Sequence, residues 1–228
     1  GVVGTGIFEA FLDGNGLRAF ALQGEDEDEA QRRIPAAPRP DEAREALGRV
    51  IKVFRGPLAV RSSSLLEDSP QQPLAGIYGT WLLPNDHPDP AHRLAQLMDA
   101  VKQVYATTFG HRARAFLEAT QYRMEEEAMA VVIQRLVGAR HGNRFYPHLS
   151  GVARSHNYYP QAPALPEDGI AAVALGLGRT VAEGEPCLRF SPAHPSHILD
   201  HASVESMLAS AQRHFWALEL GHDAPHWE

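Results

Sequence analysis

Apolar side chains recur at helical spacing in several stretches of the chain. Ile7, Phe8, Phe11 and Leu12 mark a first helix, and Asp13, Gly14, Asn15 and Gly16 interrupt it as a turn before Leu17, Phe20 and Leu22. Ala43, Ala46, Leu47, Val50, Ile51 and Phe54 line one face of a second, which Gly56 and Pro57 stop. Leu94, Leu97, Met98, Val101, Val104 and Tyr105 predict a third between Pro90 and Phe109. Gly110 breaks that pattern, and a further helical segment carries Ala113, Phe116 and Leu117 toward Tyr122. Apolar positions from Ile198 to Leu220, among them Val204, Met207, Leu208, Phe215 and Trp216, also read as helix.

Shorter apolar runs predict strands. Pro57 to Val60 leads directly into Arg61; Trp81 to Leu83 only continue the apolar pattern after the glycine segment, before the turn cluster Pro84, Asn85, Asp86 and Pro88. MAVVIQRLV, from Met129 to Val137, is rich in branched residues and fits a buried strand. Gln134 interrupts it, and an amide in a buried run needs a partner. Gly138 to Pro147 reads as a hairpin connection, Ser150 to Ser155 as a strand, and CLRF as a strand ending in a proline turn. From Asp168, DGIAAVALGLG is apolar with no period that separates helix from strand. Residues 24–40, GEDEDEAQRRIPAAPRP, read as a solvated acidic and proline-rich loop, because consecutive carboxylates repel and the prolines extend the break.

Composition narrows the function classes. A chain of 228 residues is long enough for one large domain or two small lobes. A net charge of −7 argues against a general nucleic-acid surface. The one cysteine, Cys187, allows no disulfide framework or cysteine-rich metal site within the chain, and it reads as core. No run of about twenty apolar residues predicts a membrane span, and no signal peptide is readable, so a cytoplasmic setting is expected. GVVGTG, without an initiator methionine, reads as strand running into helix and suggests an excised domain. His141, His148 and His156 are scattered, and His197 and His201 lack a third ligand at suitable spacing for zinc.

The chemistry concentrates between Pro57 and Trp81. Arg61 is followed by Ser62, Ser63 and Ser64, then Glu67 and Asp68, then Gly76, Gly79 and Thr80. Arginine offers phosphate a rigid fork of donors. Glycines expose backbone amides that can form an anion-binding nest. Glu67 and Asp68 are candidates to orient the arginine or to support a divalent ion.

VRSSSLLEDS and PLAGIYGT, followed in order by MAVVIQRLVG, SGVARS and ALGLGRTVAEG, resemble the nucleotide-binding, PEP/pyruvate-binding domain shared by phosphoenolpyruvate synthase and pyruvate, phosphate dikinase. The resemblance runs from about Thr5 to Pro192. It implies an α+β, two-lobed, ATP-grasp-like fold, truncated here at both ends. It implies transfer of a phosphoryl group from ATP to a histidine on a separate domain, and onward to pyruvate on a third. Arg61 would then reach the transferred phosphates, with a Gly76 amide and the Thr80 hydroxyl in the phosphate lid. The adenine would meet backbone near Gln134, Arg135, Leu136 and Val137, where the strand feeds a hinge between lobes. The segment from Asp168 would be a helix near the nucleotide. Arg154 is a further phosphate candidate, His156 is given no role, and Arg112, Arg114 and Arg123 read as surface or salt-bridge residues. Most relatives carry a glutamate where Arg179 follows GLG, which weakens a magnesium or phosphate contact there. The family's principal Mg2+ ligands and its phosphate lysine fall on strands outside this chain. A nucleotide-sensing regulatory domain, an antibiotic-phosphorylating kinase and an interaction module are the alternative readings.

Overall fold

Phe8, Phe11 and Leu12 do fall on one face of a helix, α1 (Thr5–Gly14), and that face is buried. The computed structural model describes residues 1–23, 27–38, 41–64, 67, 78–118, 123, 127–198, 201 and 203–221. The chain divides into two units, Gly1–Leu136 with Leu220–Glu228, and Val137–Glu219.

The first unit holds a four-stranded sheet of β1 (Val2–Val3), β2 (Leu58–Ser64), β3 (Thr80–Leu83) and β4 (Met129–Arg135), in the order β1-β4-β2-β3. Neighbouring strands are antiparallel throughout. β2 carries Arg61 and the serines at its end, up to Ser64. Side chains alternate across a pleated strand. Leu58, Val60, Met129, Val131 and Ile133 point into the core, against α1 and α5 (Pro90–Thr107). The core is completed by α3 (Glu27–Ala36) and α4 (Asp41–Val53), both packed on α5. Tyr105 sits at its centre, with ring centroids 4.9 Å from Phe8 and 5.5 Å from Phe11. α5 starts cleanly because Asp89 accepts from the Ala91 amide at 2.8 Å and Pro90 occupies the first turn. Two shorter helices, α2 (Arg18–Gln23) and α6 (His111–Glu118), complete the unit's described elements.

The loop expected over 24–40 is, from Glu27, a helix. Residues 24–26 and 39–40 lie outside the described residues. The acidic run conceals Ala30 and Ile34, four apart, and both are fully covered. Lys102 Nζ on α5 donates to the carbonyls of Pro35 and Ala37 at 2.5 and 3.0 Å and so caps the end of α3.

The second unit contains two three-stranded sheets. One has β5 (Ala139–His141), β6 (Arg144–Tyr146) and β10 (Leu218–Glu219); the other has β7 (Leu149–Arg154), β8 (Ile170–Leu175) and β9 (Leu188–Phe190). β5 and β6 form the expected hairpin. The helix implied for the segment from Asp168 is instead β8, paired on both sides, by β7 and β9. Two neighbouring strands satisfy its backbone, so no helical ladder is needed. After a single-turn helix, α7 (Arg179–Ala182), the helix expected from Ile198 to Leu220 shrinks to α8 (Val204–Ser210). Ser203 caps it reciprocally with Ser206, and Ala211 ends it in extended conformation. His197 lies in irregular chain, so it does not share a helical face with His201. Cys187 is buried, as core.

Candidate functional site

Arg61 and Thr80 are direct cross-strand partners. Opposed residues of an antiparallel pair project to the same face, so the guanidinium and the hydroxyl stand side by side, both exposed. Val132 opposes Arg61 from the other side, and Gln134 opposes Ala59 on that same face. Among the described residues Arg61 has no ion-pair partner. Thr80 is set by its neighbours: a Cβ on Gly79 would meet the Trp81 ring at 2.2 Å, so only glycine lets that ring fold back.

Gln134 is exposed rather than buried among apolar residues, which corrects the expectation that its amide needs an internal partner. Arg135 is also exposed. The Leu136 amide is already used, donating to Pro57 O at 2.9 Å. Ile133 exchanges backbone hydrogen bonds with Gly1, at 2.7 and 2.8 Å. Backbone groups point to alternate sides along a strand. Arg135 therefore turns its N–H and C=O to the same side as Ile133. Val137 begins the second unit and is exposed. Gly76 and Asp68 lie outside the described residues.

Glu67 faces away from Arg61. Its Oε1 accepts from Ser62 Oγ at 2.8 Å and its Oε2 from the Ser64 amide at 3.1 Å, both on the covered side of β2. Its hydrogen bonds are thus with the serines of β2 and not with Arg61. Among the described residues no group of three His, Cys, Asp or Glu is placed to hold a metal ion. A guanidinium beside a hydroxyl on one exposed sheet face is chemistry suited to an anion such as phosphate.

Sequence reading passed over two residues here. Tyr78 Oη donates to Glu127 Oε1 at 3.2 Å, and both side chains are buried. Burial, then the Glu127 charge, raises the Tyr78 phenol well above its ordinary range. Burial also raises the Glu127 carboxyl, against hydrogen bonds from Ser64 and Tyr78 that lower it, with the Glu67 charge adding to the rise. Glu127 is the last of three consecutive glutamates, and no spacing marks it out from the other two.

In the second unit, Arg179 is committed locally. Its guanidinium lies 4.1 Å from the Trp216 ring centroid and its Nε donates to Glu183 at 2.8 Å. Trp216 Nε1 donates to Glu185 at 3.3 Å. Gly176 has φ 78, and a Cβ there would meet Trp216 O at 2.7 Å, so the GLG turn packs directly on this segment. Arg154 is exposed at the end of β7.

Mixed α and β elements with open antiparallel sheets, one of them presenting a paired cation and hydroxyl, are consistent with a nucleotide-binding domain. The family model described as "Pyruvate phosphate dikinase, AMP/ATP-binding domain" matches residues 7–216, and the chain belongs to that family.

Proposed function

We propose that the chain is the ATP-binding portion of a phosphotransferase that moves a phosphoryl group from ATP toward a histidine of a separate domain, on a two-lobed, ATP-grasp-like frame. Family membership supports the nucleotide. The observation that carries the site is the exposed Arg61–Thr80 pair on one sheet face. Arg61 would hold phosphate oxygens through its fork of donors, and Thr80 would donate to a neighbouring oxygen. Backbone near Gln134, Arg135, Leu136 and Val137 would meet the adenine, as family membership implies, with Leu136 and Val137 as apolar neighbours. Gln134, on the Arg61 face, would flank the base. ATP supplies the phosphoryl group, while the chain's own residues bind and orient it. Phosphohistidine and pyruvate-binding domains would be separate bodies.

Titration of the protein with Mg-ATP tests this. Loss of a charge-assisted hydrogen bond costs roughly 1.5–3 kcal/mol, so Arg61→Ala should weaken binding by about tenfold or more, and Thr80→Val by less. Equal affinity in wild type and Arg61→Ala would remove the phosphate assignment. A second reading, nucleotide sensing without turnover, is favoured by Arg179, which stands in place of the usual glutamate and is tied to Trp216 and Glu183. ATP binding with no phosphoryl transfer to a supplied phosphohistidine domain would select it.

A further inference from the structure

β2, β3 and β4 share one end, and a small polar cluster sits there on the covered side of the sheet. Ser64 closes β2 and pairs with Met129, the first residue of β4. Glu127 precedes β4 by two residues, and Tyr78 precedes β3 by two. Ser64, Tyr78 and Glu127 are 4%, 6% and 6% exposed. Glu67 is fixed as an acceptor by Ser62 Oγ and the Ser64 amide. Its own amide donates to Ser64 Oγ at 3.3 Å, and the Ser64 hydroxyl adjoins both Glu127 and Tyr78. Tyr78 donates to that carboxyl from the other side. Among the described residues, the titratable groups facing Glu127 are Glu67 and Tyr78, and neither is a cation. Two carboxylates this close to one hydroxyl do not both ionise without cost, and the more buried one keeps the proton longer.

We propose that Glu127 is a positioning residue: as an acceptor it ties Tyr78 to the Ser64 end of β2 and so holds the common end of β2, β3 and β4, while its burial, with no cation among the described residues facing it and Glu67 nearby, makes its ionisation costly to the fold. Its bearing on phosphate binding rests on the proposed function, because the tie lies three residues from Arg61 and two from Thr80. The tie itself does not.

Because burial raises the folded-state pKa of Glu127 above its ordinary 4.5, the folded chain holds a proton that the unfolded chain has released. Stability therefore falls as pH rises from the ordinary value through the folded one. Thermal unfolding of the full chain between pH 4.5 and 8.5 reads this directly. Glu127→Gln, which keeps the shape without the charge, should flatten the profile, so that wild type drops below the variant in Tm as pH rises. Glu67→Gln, which removes the repelling charge, should make the wild-type slope shallower and serves if Glu127→Gln does not fold. A Glu127→Gln profile parallel to wild type at every pH, or a Glu67→Gln slope as steep as wild type, overturns the tie. Mg-ATP titration of the same proteins at pH 5.5 and 8 separates the two readings. Affinity that falls with pH in wild type but not in Glu127→Gln supports the coupling to Arg61. Crossed stability profiles with no ATP binding in any protein would leave the tie standing and remove the nucleotide reading.

Discussion

Asn85 shows how one side chain sets up the Arg61 strand from a distance. It is buried, and its Nδ2 donates to Phe54 O at 3.2 Å and Gly56 O at 2.9 Å, the carbonyls between α4 and β2. Its Oδ1 accepts from Arg93 Nη1 at 3.3 Å, and that nitrogen also donates to Ile51 O at 3.3 Å. Asn85 has φ 50, in the left-handed region that Asn tolerates better than most residues. Asn85→Ala should cost about 2–3 kcal/mol, from buried groups left unpaired plus backbone strain. Asn85→Gly should cost less, since it keeps the backbone and loses only the hydrogen bonds. Urea unfolding checks the order, through a lower midpoint with unchanged slope. Tyr105 makes the opposite case. Among the described residues its hydroxyl, buried in the core, has no hydrogen-bond partner, and burial alone raises its pKa. Tyr105→Phe should therefore leave stability unchanged or raise it by up to about 1 kcal/mol, and a clear loss would mean the hydroxyl has a partner after all.

At the scale of elements, α3 separates what charge hides from what burial decides. Ile34→Ala removes a fully covered side chain and should cost about 2–4 kcal/mol. Breaking the partly exposed Glu29–Arg33 pair, four residues apart on the same helix, should cost under about 0.5 kcal/mol. Equal losses in the two variants would show that the charges, not Ile34, hold the helix. This contrast also explains what was legible. α1, α4 and α5 could be read because their apolar positions repeat every three or four residues and glycine or proline ends them. α3 could not, because only Ala30 and Ile34 carry its inward face among charges. β8 could not, because a run of alanines with branched residues packs equally well either way, and only pairing with β7 and β9 decides it. Trp216 and Phe215 were read into a helix although they pack on the GLG turn. The Arg61 and Thr80 motifs were visible as motifs, but their adjacency is a property of register between strands. Register emerges from folding across a long separation, and local spacing does not contain it. The contacts of Glu67 with Ser62 and Ser64 were not legible for the same reason: the side of β2 it returns to is set by the serines' place in the pleat.

Across the whole molecule the two units differ in how much they bury. The first has a continuous core of fully covered side chains, including Phe8, Phe11, Leu47, Ile51, Leu97 and Tyr105. In the second, the most covered apolar residues are small or few, such as Ala171, Ala174, Leu177 and Cys187, while Leu149, Leu175, Val204 and Leu208 are each more than half exposed. Buried apolar area is the main favourable term in folding, about 25 cal/mol per Å2, so the second unit should open first. The chain carries its own reporters. Most of its helix, α1 to α6, lies in the first unit and dominates far-ultraviolet circular dichroism. Cys187, the one cysteine, is 3% exposed in the second. In a urea series, Cys187 should become reactive toward a thiol reagent at concentrations where the helical signal is still native. Local opening of this kind has a lower free energy than global unfolding and appears as two separated transitions. Coincident curves would instead mean that the two units unfold as one cooperative body, and that the sparse burial of the second is made good by the first.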